Sequence, residues 1–309
     1  MQYRSTRGSK ENTLTAPQAI IQGLAQDGGL YVPVAFPQAN FKLEDLSKLS
    51  YKQIAAMIIS LFFDDFTKEQ ITTAVQSAYS EQWDDRSIVP IEKHDNRFYM
   101  ELFHGPTLAF KDIALQMLPQ LMTRAVQIEK IDKDIIILTA TSGDTGTASM
   151  RGFANQKGTD VIVFYPEGGV SPVQLKQMLS QRGDNLRAIA IKGNFDDAQT
   201  EVKKIFNDDS FKNRLNANGY QFSSANSMNI GRLVPQISYY LYTYGQLVRR
   251  QEIKLGDEVN FAVPTGNFGD ILAGYYAKKL GLPIKKLICA SNENNVLTDF
   301  FNNGVYDKR

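Results

Sequence analysis

The segment Ile135-Ile136-Ile137-Leu138-Thr139-Ala140 constrains the fold more than any other stretch. A continuous apolar run of this length reads as a strand buried on both faces, the habit of parallel sheets covered by helices. Comparable runs follow at Val161-Ile162-Val163-Phe164-Tyr165, Arg187-Ala188-Ile189-Ala190-Ile191, Val259-Asn260-Phe261-Ala262-Val263 and Lys286-Leu287-Ile288-Cys289-Ala290, with helical stretches between them. Arg97 to Phe103 is expected to form a strand too. From about residue 90 onward this alternation predicts an α/β architecture.

The first 90 residues read differently. After a polar, strand-compatible start, Thr15-Ala16-Pro17 supplies a cap and an early proline, and an apolar stripe over 18–25 predicts a helix running to the Gly28-Gly29 turn. Apolar residues recur at helical spacing from Leu43 to about Trp83, with Thr67 as the cap of the second segment and Trp83 as packing. This region is expected to be mainly helical. With 309 residues, 43% of them hydrophobic, the chain is long enough for two domains.

Charge and rare residues exclude several functions. The 34 basic and 33 acidic residues nearly cancel, and no Lys/Arg cluster is interleaved with aromatics, so nucleic acid is not an expected partner. Cys289, the single cysteine, permits no internal disulfide and sits in a buried-strand pattern. His94 and His104 have no ligand spacing, and no metal site is expected. The polar N-terminus lacks a signal-type apolar stretch and no run approaches the ~20 apolar residues of a membrane span, which predicts a cytoplasmic protein with no membrane partner. Monomer and homodimer both remain open.

Function is sought in the loops that follow strands. Phe103-His104-Gly105-Pro106-Thr107-Leu108-Ala109-Phe110-Lys111-Asp112 places a lysine where a Gly-Pro turn enters a helix. Desolvated there, Lys111 could act as a nucleophile that forms a Schiff base, although a lysine with so little context is ordinarily a surface residue. After the strand at 135–140 come Thr141, Ser142, Gly143, Asp144, Thr145 and Gly146, more hydroxyls and glycines than helix capping needs, and suited to a carboxylate or phosphate. After the strand at 259–263 comes Pro264-Thr265-Gly266-Asn267-Phe268-Gly269-Asp270, whose glycines let backbone amides converge on a phosphate. It is neither a Walker loop nor GxGxxG. Gly193-Asn194-Phe195-Asp196 is similar but lacks the second glycine. A third polar cluster, residues 223–232, contains Asn226, Ser227 and Asn229 and ends in Arg232, which could clamp a carboxylate or phosphate, while a solvated loop is the plainer reading. Together, a lysine nucleophile, an anion loop and a glycine phosphate loop are what pyridoxal 5'-phosphate needs.

These residues, with the opening Tyr3-Arg4-Ser5-Thr6-Arg7-Gly8, resemble the threonine synthases among the pyridoxal-phosphate enzymes of fold type II, across nearly the whole chain. The resemblance implies parallel sheets flanked by helices: an N-terminal region at 1–90, a small α/β domain at 91–225 carrying the Schiff-base lysine, and the start of a large domain at 226–309. It implies Lys111 as that lysine and Gly266, Asn267, Phe268 and Gly269, with Asp270, around the cofactor phosphate. Asp144 would meet the cofactor's ring hydroxyl; many fold-type II relatives carry Asn there, and Asp is usual in the threonine synthase branch. Thr141, Ser142 and Thr145 would meet the substrate carboxylate. Arg232, Asn226, Ser227 and Asn229 would meet the substrate phosphate. The implied reaction turns O-phospho-L-homoserine and water into L-threonine and phosphate, the last step of threonine biosynthesis. The alternatives are a related threonine or serine dehydratase, or a non-catalytic binder of a phosphorylated ligand. Relatives of this branch continue beyond the point matching Arg309, so the C-terminal part, with the group facing the pyridine nitrogen, is expected to be missing.

Overall fold

Residues 1–8, 12–264 and 266–307 are described by a computed structural model. The chain opens with β1 (Gln2–Ser5), which pairs antiparallel with β2 (Thr13–Thr15) on one side and β3 (Tyr31–Pro33) on the other. Helix α1 (Ala16–Gln22) follows β2. Its start is specified reciprocally: the Thr15 hydroxyl accepts from the Gln18 amide and the Gln18 side chain accepts from the Thr15 amide. The helix ends earlier than the apolar stripe predicts. Gly23 adopts φ 68°, and a Cβ there would lie 3.0 Å from the Ser224 amide nitrogen, so the chain turns where it meets the polar cluster.

The helices α2 (Leu43–Leu46), α3 (Tyr51–Phe62) and α4 (Lys68–Ala78) follow, the last two opened by capping boxes at Ser50 and Thr67. Trp83 is packed, its indole donating to the Ala78 carbonyl. The strand expected at 97–103 is shorter and is not part of a parallel sheet. It forms β5 (Arg97–Met100) in an antiparallel hairpin with β4 (Ile91–His94), because Asp95 takes φ 54° and reverses the chain.

Then come α5 (Asp112–Leu115), α6 (Met117–Ile128), β6 (Asp134–Ala140), α7 (Asp144–Phe153), β7 (Thr159–Pro166), α8 (Pro172–Leu179), β8 (Leu186–Ile191), α9 (Phe195–Asn207), α10 (Asp209–Ala217) and β9 (Tyr220–Ser223). The four strands form one parallel sheet in the order β8-β7-β6-β9. From β6 the chain moves outward through β7 to β8, then returns to the other side of β6. Such a reversal leaves a crevice at the carboxyl ends of β6 and β9. The loops after those strands therefore face one another.

Helix α11 (Ile230–Arg249) is buried along nearly its whole length and packs against α3, α5, α6 and α12. A second parallel pair, β10 (Val259–Pro264) with β11 (Ile284–Ala290), is bridged by α12 (Gly269–Lys279), and α13 (Val296–Asn303) follows. Cys289 lies on β11, half-buried against the core. A core cluster joins α1, α3, α4, α6 and α11. It fixes the positions of the loops that matter.

Candidate active site

The lysine segment is tied down on both sides of Lys111. Leu108 takes φ 60° and its amide donates to Gly105, closing a tight turn. Fully buried Asp112 reaches back across the turn, accepting from the Thr107 amide at 2.8 Å and the Thr107 hydroxyl at 2.7 Å. Burial pushes the Asp112 carboxyl up, and the Thr107 bonds restrain it. A Cβ at Gly105 would lie 2.6 Å from Asp112 Cβ, so this approach requires glycine. Tyr79 donates to the Ile113 carbonyl, pinning α5 to α4. At the other end, His104 lies between Asp84 and Glu101, with Nδ1 2.6 Å and Nε2 2.8 Å from their oxygens.

Lys111 precedes α5 and its amine faces the loop after β6. Nζ donates to both oxygens of Asp144, at 2.8 and 2.7 Å, and lies 4.9 Å from the centre of the Phe110 ring. Burial lowers the basicity of Lys111 most; Asp144 raises it and Arg232 lowers it further. These three charges form one group.

In the same loop Thr141 is buried, and its hydroxyl accepts from the amides of Gly143 (3.0 Å) and Gly146 (2.9 Å). It shapes the loop from inside. Ser142 is exposed, while Asp144 and Thr145 are half-buried. Gly146 is required for packing: its Cβ would lie 2.7 Å from Thr141 and 2.8 Å from Val163.

The turn after β9 is joined to this loop by Asn226, whose amide donates to the Ala140 carbonyl at 3.0 Å. Asn229 caps α11. Its oxygen accepts from Gly231 and its nitrogen donates to Ile20 and Ser224, so both hydrogens are spent inside the protein. Arg232 is 2% exposed. One guanidinium nitrogen donates to the Ala225 carbonyl at 2.6 Å, and Nε has no partner among the described residues. Burial lowers its pKa to about 10, against the pull of Asp144. A buried guanidinium with a spare donor is suited to an anion.

The glycine loop enters α12 through left-handed backbone at Gly266 (φ 47°) and Phe268 (φ 65°). Among the described residues no side chain caps the helix, and a Cβ at Gly266 would meet none of their atoms within 4 Å. A helix start of this kind is chemically suited to an anion. Thr265 lies outside the described residues. The Asp270 carboxylate points to α11, accepting from Tyr240 at 2.8 Å and from Tyr239. By contrast, the string at 193–196 is a cap: Asn194 and Asp197 bond reciprocally at the start of α9.

A cavity of about 680 Å³ joins the glycine loop to the polar turn, with Asn226, Ser227, Asn267 and Gly269 on its wall. Arg7 and Lys203 line it as well. The structure therefore forms two groups, Lys111-Asp144-Arg232 and the cavity residues, while Thr141, Asn229 and Asp270 bond inward. Four features went unread in the sequence: the Thr107-Asp112 tie, the His104 clamp, the tyrosines on Asp270 and the place of Arg7. Arg7, His104, Thr107, Asp112 and Asp270 all lie in motifs singled out in the sequence, but their partners do not show there.

The family described as "Threonine synthase N terminus" matches residues 2–79, and that described as "Pyridoxal-phosphate dependent enzyme" matches residues 91–309. Threonine synthase of Saccharomyces cerevisiae is 39% identical over 99% of this chain and 61% of its own length. The pyridoxal-phosphate-bound threonine synthase from Brucella melitensis superposes with a TM-score of 0.87 at 40% identity, over 100% of this chain and 64% of that one. Threonine synthase from Escherichia coli gives 0.87 at 34% identity, over 100% and 68%. The chain spans about three fifths of the length of the curated threonine synthases it matches.

Proposed function

The chain belongs to the pyridoxal-phosphate-dependent enzyme family, in its threonine synthase branch, and on that premise we propose that it converts O-phospho-L-homoserine and water to L-threonine and phosphate. The observation that carries this reading is a secluded lysine amine accompanied by two anion seats. One is the uncapped start of α12, and the other is buried Arg232 with its spare donor. A phosphorylated cofactor needs the first. A phosphorylated substrate needs the second, which a dehydratase acting on threonine or serine would not.

The residues fit the cofactor. The amides of Gly266, Asn267, Phe268 and Gly269 would hold its phosphate, aided by the dipole of α12. Asp270 supports that loop from behind through Tyr239 and Tyr240. Bound there, pyridoxal phosphate supplies an electron sink for charge developing at the substrate's Cα. Lys111 would move protons at Cα and Cβ, as a partly desolvated amine is able to do. Ser142 and Thr145, on the loop that Thr141 shapes, would orient the substrate carboxylate; Arg232, Asn226 and Ser227 would take its phosphate. Asn229 would hold Arg232 at the start of α11. We place the protein in fold type II and in the cytoplasm; among the described residues no helix is long and apolar enough to cross a membrane.

The test is an ultraviolet-visible spectrum after incubation with pyridoxal phosphate, followed by phosphate and threonine measurement on phosphohomoserine. A visible band that Lys111→Ala abolishes, together with release of both products, is expected. Absence of cofactor uptake, or ketoacid formation from threonine without phosphate release from phosphohomoserine, would overturn the assignment.

A further inference from the structure

Both oxygens of Asp144 lie on Lys111 Nζ, at 2.8 and 2.7 Å. The pair is secluded, with 16% of the lysine side chain and 33% of the aspartate side chain exposed. Three other groups bear on it. Arg232, from the start of α11, opposes the lysine charge; the Phe110 ring lies on the lysine's own segment; the Asp112 carboxylate on α5 is turned away to Thr107.

A lysine nitrogen must give up a proton before its lone pair can bond to carbon. In open solution water takes that proton. At an amine with little exposed surface, a carboxylate in direct contact is better placed. We propose that Asp144 is the proton partner of Lys111: it keeps the amine as an ammonium until an aldehyde arrives, then accepts the proton that frees the nitrogen.

The exchange balances. One proton passes from Nζ to an Asp144 oxygen, and the nitrogen lone pair forms the bond to the carbonyl carbon. The carbonyl oxygen leaves as water, carrying the two protons that remained on nitrogen. Before and after, Lys111, Asp144 and Arg232 together hold one net positive charge. No buried charge is created, which matters because an isolated one would be costly. The protonated Asp144 is then a hydrogen-bond donor beside the new imine. This inference rests on the reading of Lys111 as the imine-forming lysine and adds what readies it.

The test uses the full chain freed of cofactor. Reductive methylation of Lys111 by formaldehyde is followed by peptide mass spectrometry from neutral to alkaline pH. Asp144→Asn preserves shape but removes the counter-ion, so burial and Arg232 act unopposed. Its midpoint should fall by about one pH unit or more, making Lys111 roughly tenfold more reactive at neutral pH. Asp144→Glu should keep the midpoint near that of the unaltered chain. A midpoint that is unchanged or higher in Asp144→Asn overturns the proposal. Asp144→Ser, also uncharged, gives the same comparison should the asparagine variant fold poorly. Uptake of pyridoxal phosphate, read by visible absorbance, is a separate arm. A shifted midpoint without uptake keeps the proton pair and sinks the function; uptake without a shift sinks the pair alone.

Discussion

His104 shows how one side chain sets the start of the lysine segment. A neutral imidazole has a single N–H, so a ring with a carboxylate on each nitrogen can satisfy both only as the imidazolium. Burial alone would lower its pKa, but Glu101 and Asp84 raise it above the usual 6.5. With the folded value raised, the contribution to stability is complete below the unfolded value and is lost as pH rises through the folded one. His104→Gln is therefore expected to flatten the pH dependence of stability in that window, from about the usual histidine value upward. Urea unfolding at acidic, neutral and mildly alkaline pH checks this. A slope identical in variant and parent would show that the clamp carries no linked proton.

At the scale of elements, α5 and α7 bring Lys111 to Asp144, and their separation is set by Gly152. A Cβ there would lie 2.0 Å from the Leu115 carbonyl oxygen, a backbone atom that cannot swing aside. Gly152→Ala must push the two helices apart. An overpacked contact of this kind costs about 1–3 kcal/mol, read as a lower melting temperature. Because the displacement acts on the Lys111-Asp144 contact, the Lys111 methylation midpoint should move toward that of Asp144→Asn. Destabilisation with an unchanged midpoint would mean the loops absorb the strain.

The same scale separates what the sequence made legible from what it hid. Strands β6, β7, β8, β10 and β11 were readable because an unbroken or nearly unbroken apolar run announces burial without help from context. Strand β9, Tyr220–Ser223, was not, being four residues long with no marked apolar run. The end of α1 was misplaced for a different reason: Gly23 turns the chain because Ser224 lies against it, a contact between distant positions. The loops divide similarly. Lys111 and the glycine loop carry composition signals, whereas Asp112 bonding to Thr107 and Asn229 spending its amide on Ile20 are decided by tertiary packing.

Across the whole molecule, α11 connects the two proposed anion seats to the core. Its first turn carries Arg232; two turns later Tyr239 and Tyr240 hold Asp270, behind the glycine loop; its flanks pack on α3, α5 and α6. Burial raises the Asp270 carboxyl above its usual 3.8, and the two tyrosine hydroxyls restrain that rise. A carboxyl raised in the folded state contributes stability that is complete below the unfolded value and is lost as the pH rises through the folded one. Tyr240→Phe removes one donor and leaves a buried acceptor less satisfied, at a cost of about 1–3 kcal/mol. It should also raise the Asp270 carboxyl further. The deficit relative to the parent is therefore largest at neutral pH, where the carboxylate is charged, and shrinks as pH falls toward the ordinary carboxylate range. Unfolding at neutral and mildly acidic pH measures the difference. Cofactor affinity should weaken in step, since Asp270 lies in the first turn of the helix proposed to hold the cofactor's phosphate. A deficit independent of pH, with affinity intact, would mean that Tyr239 alone anchors Asp270 and that Tyr240 contributes packing.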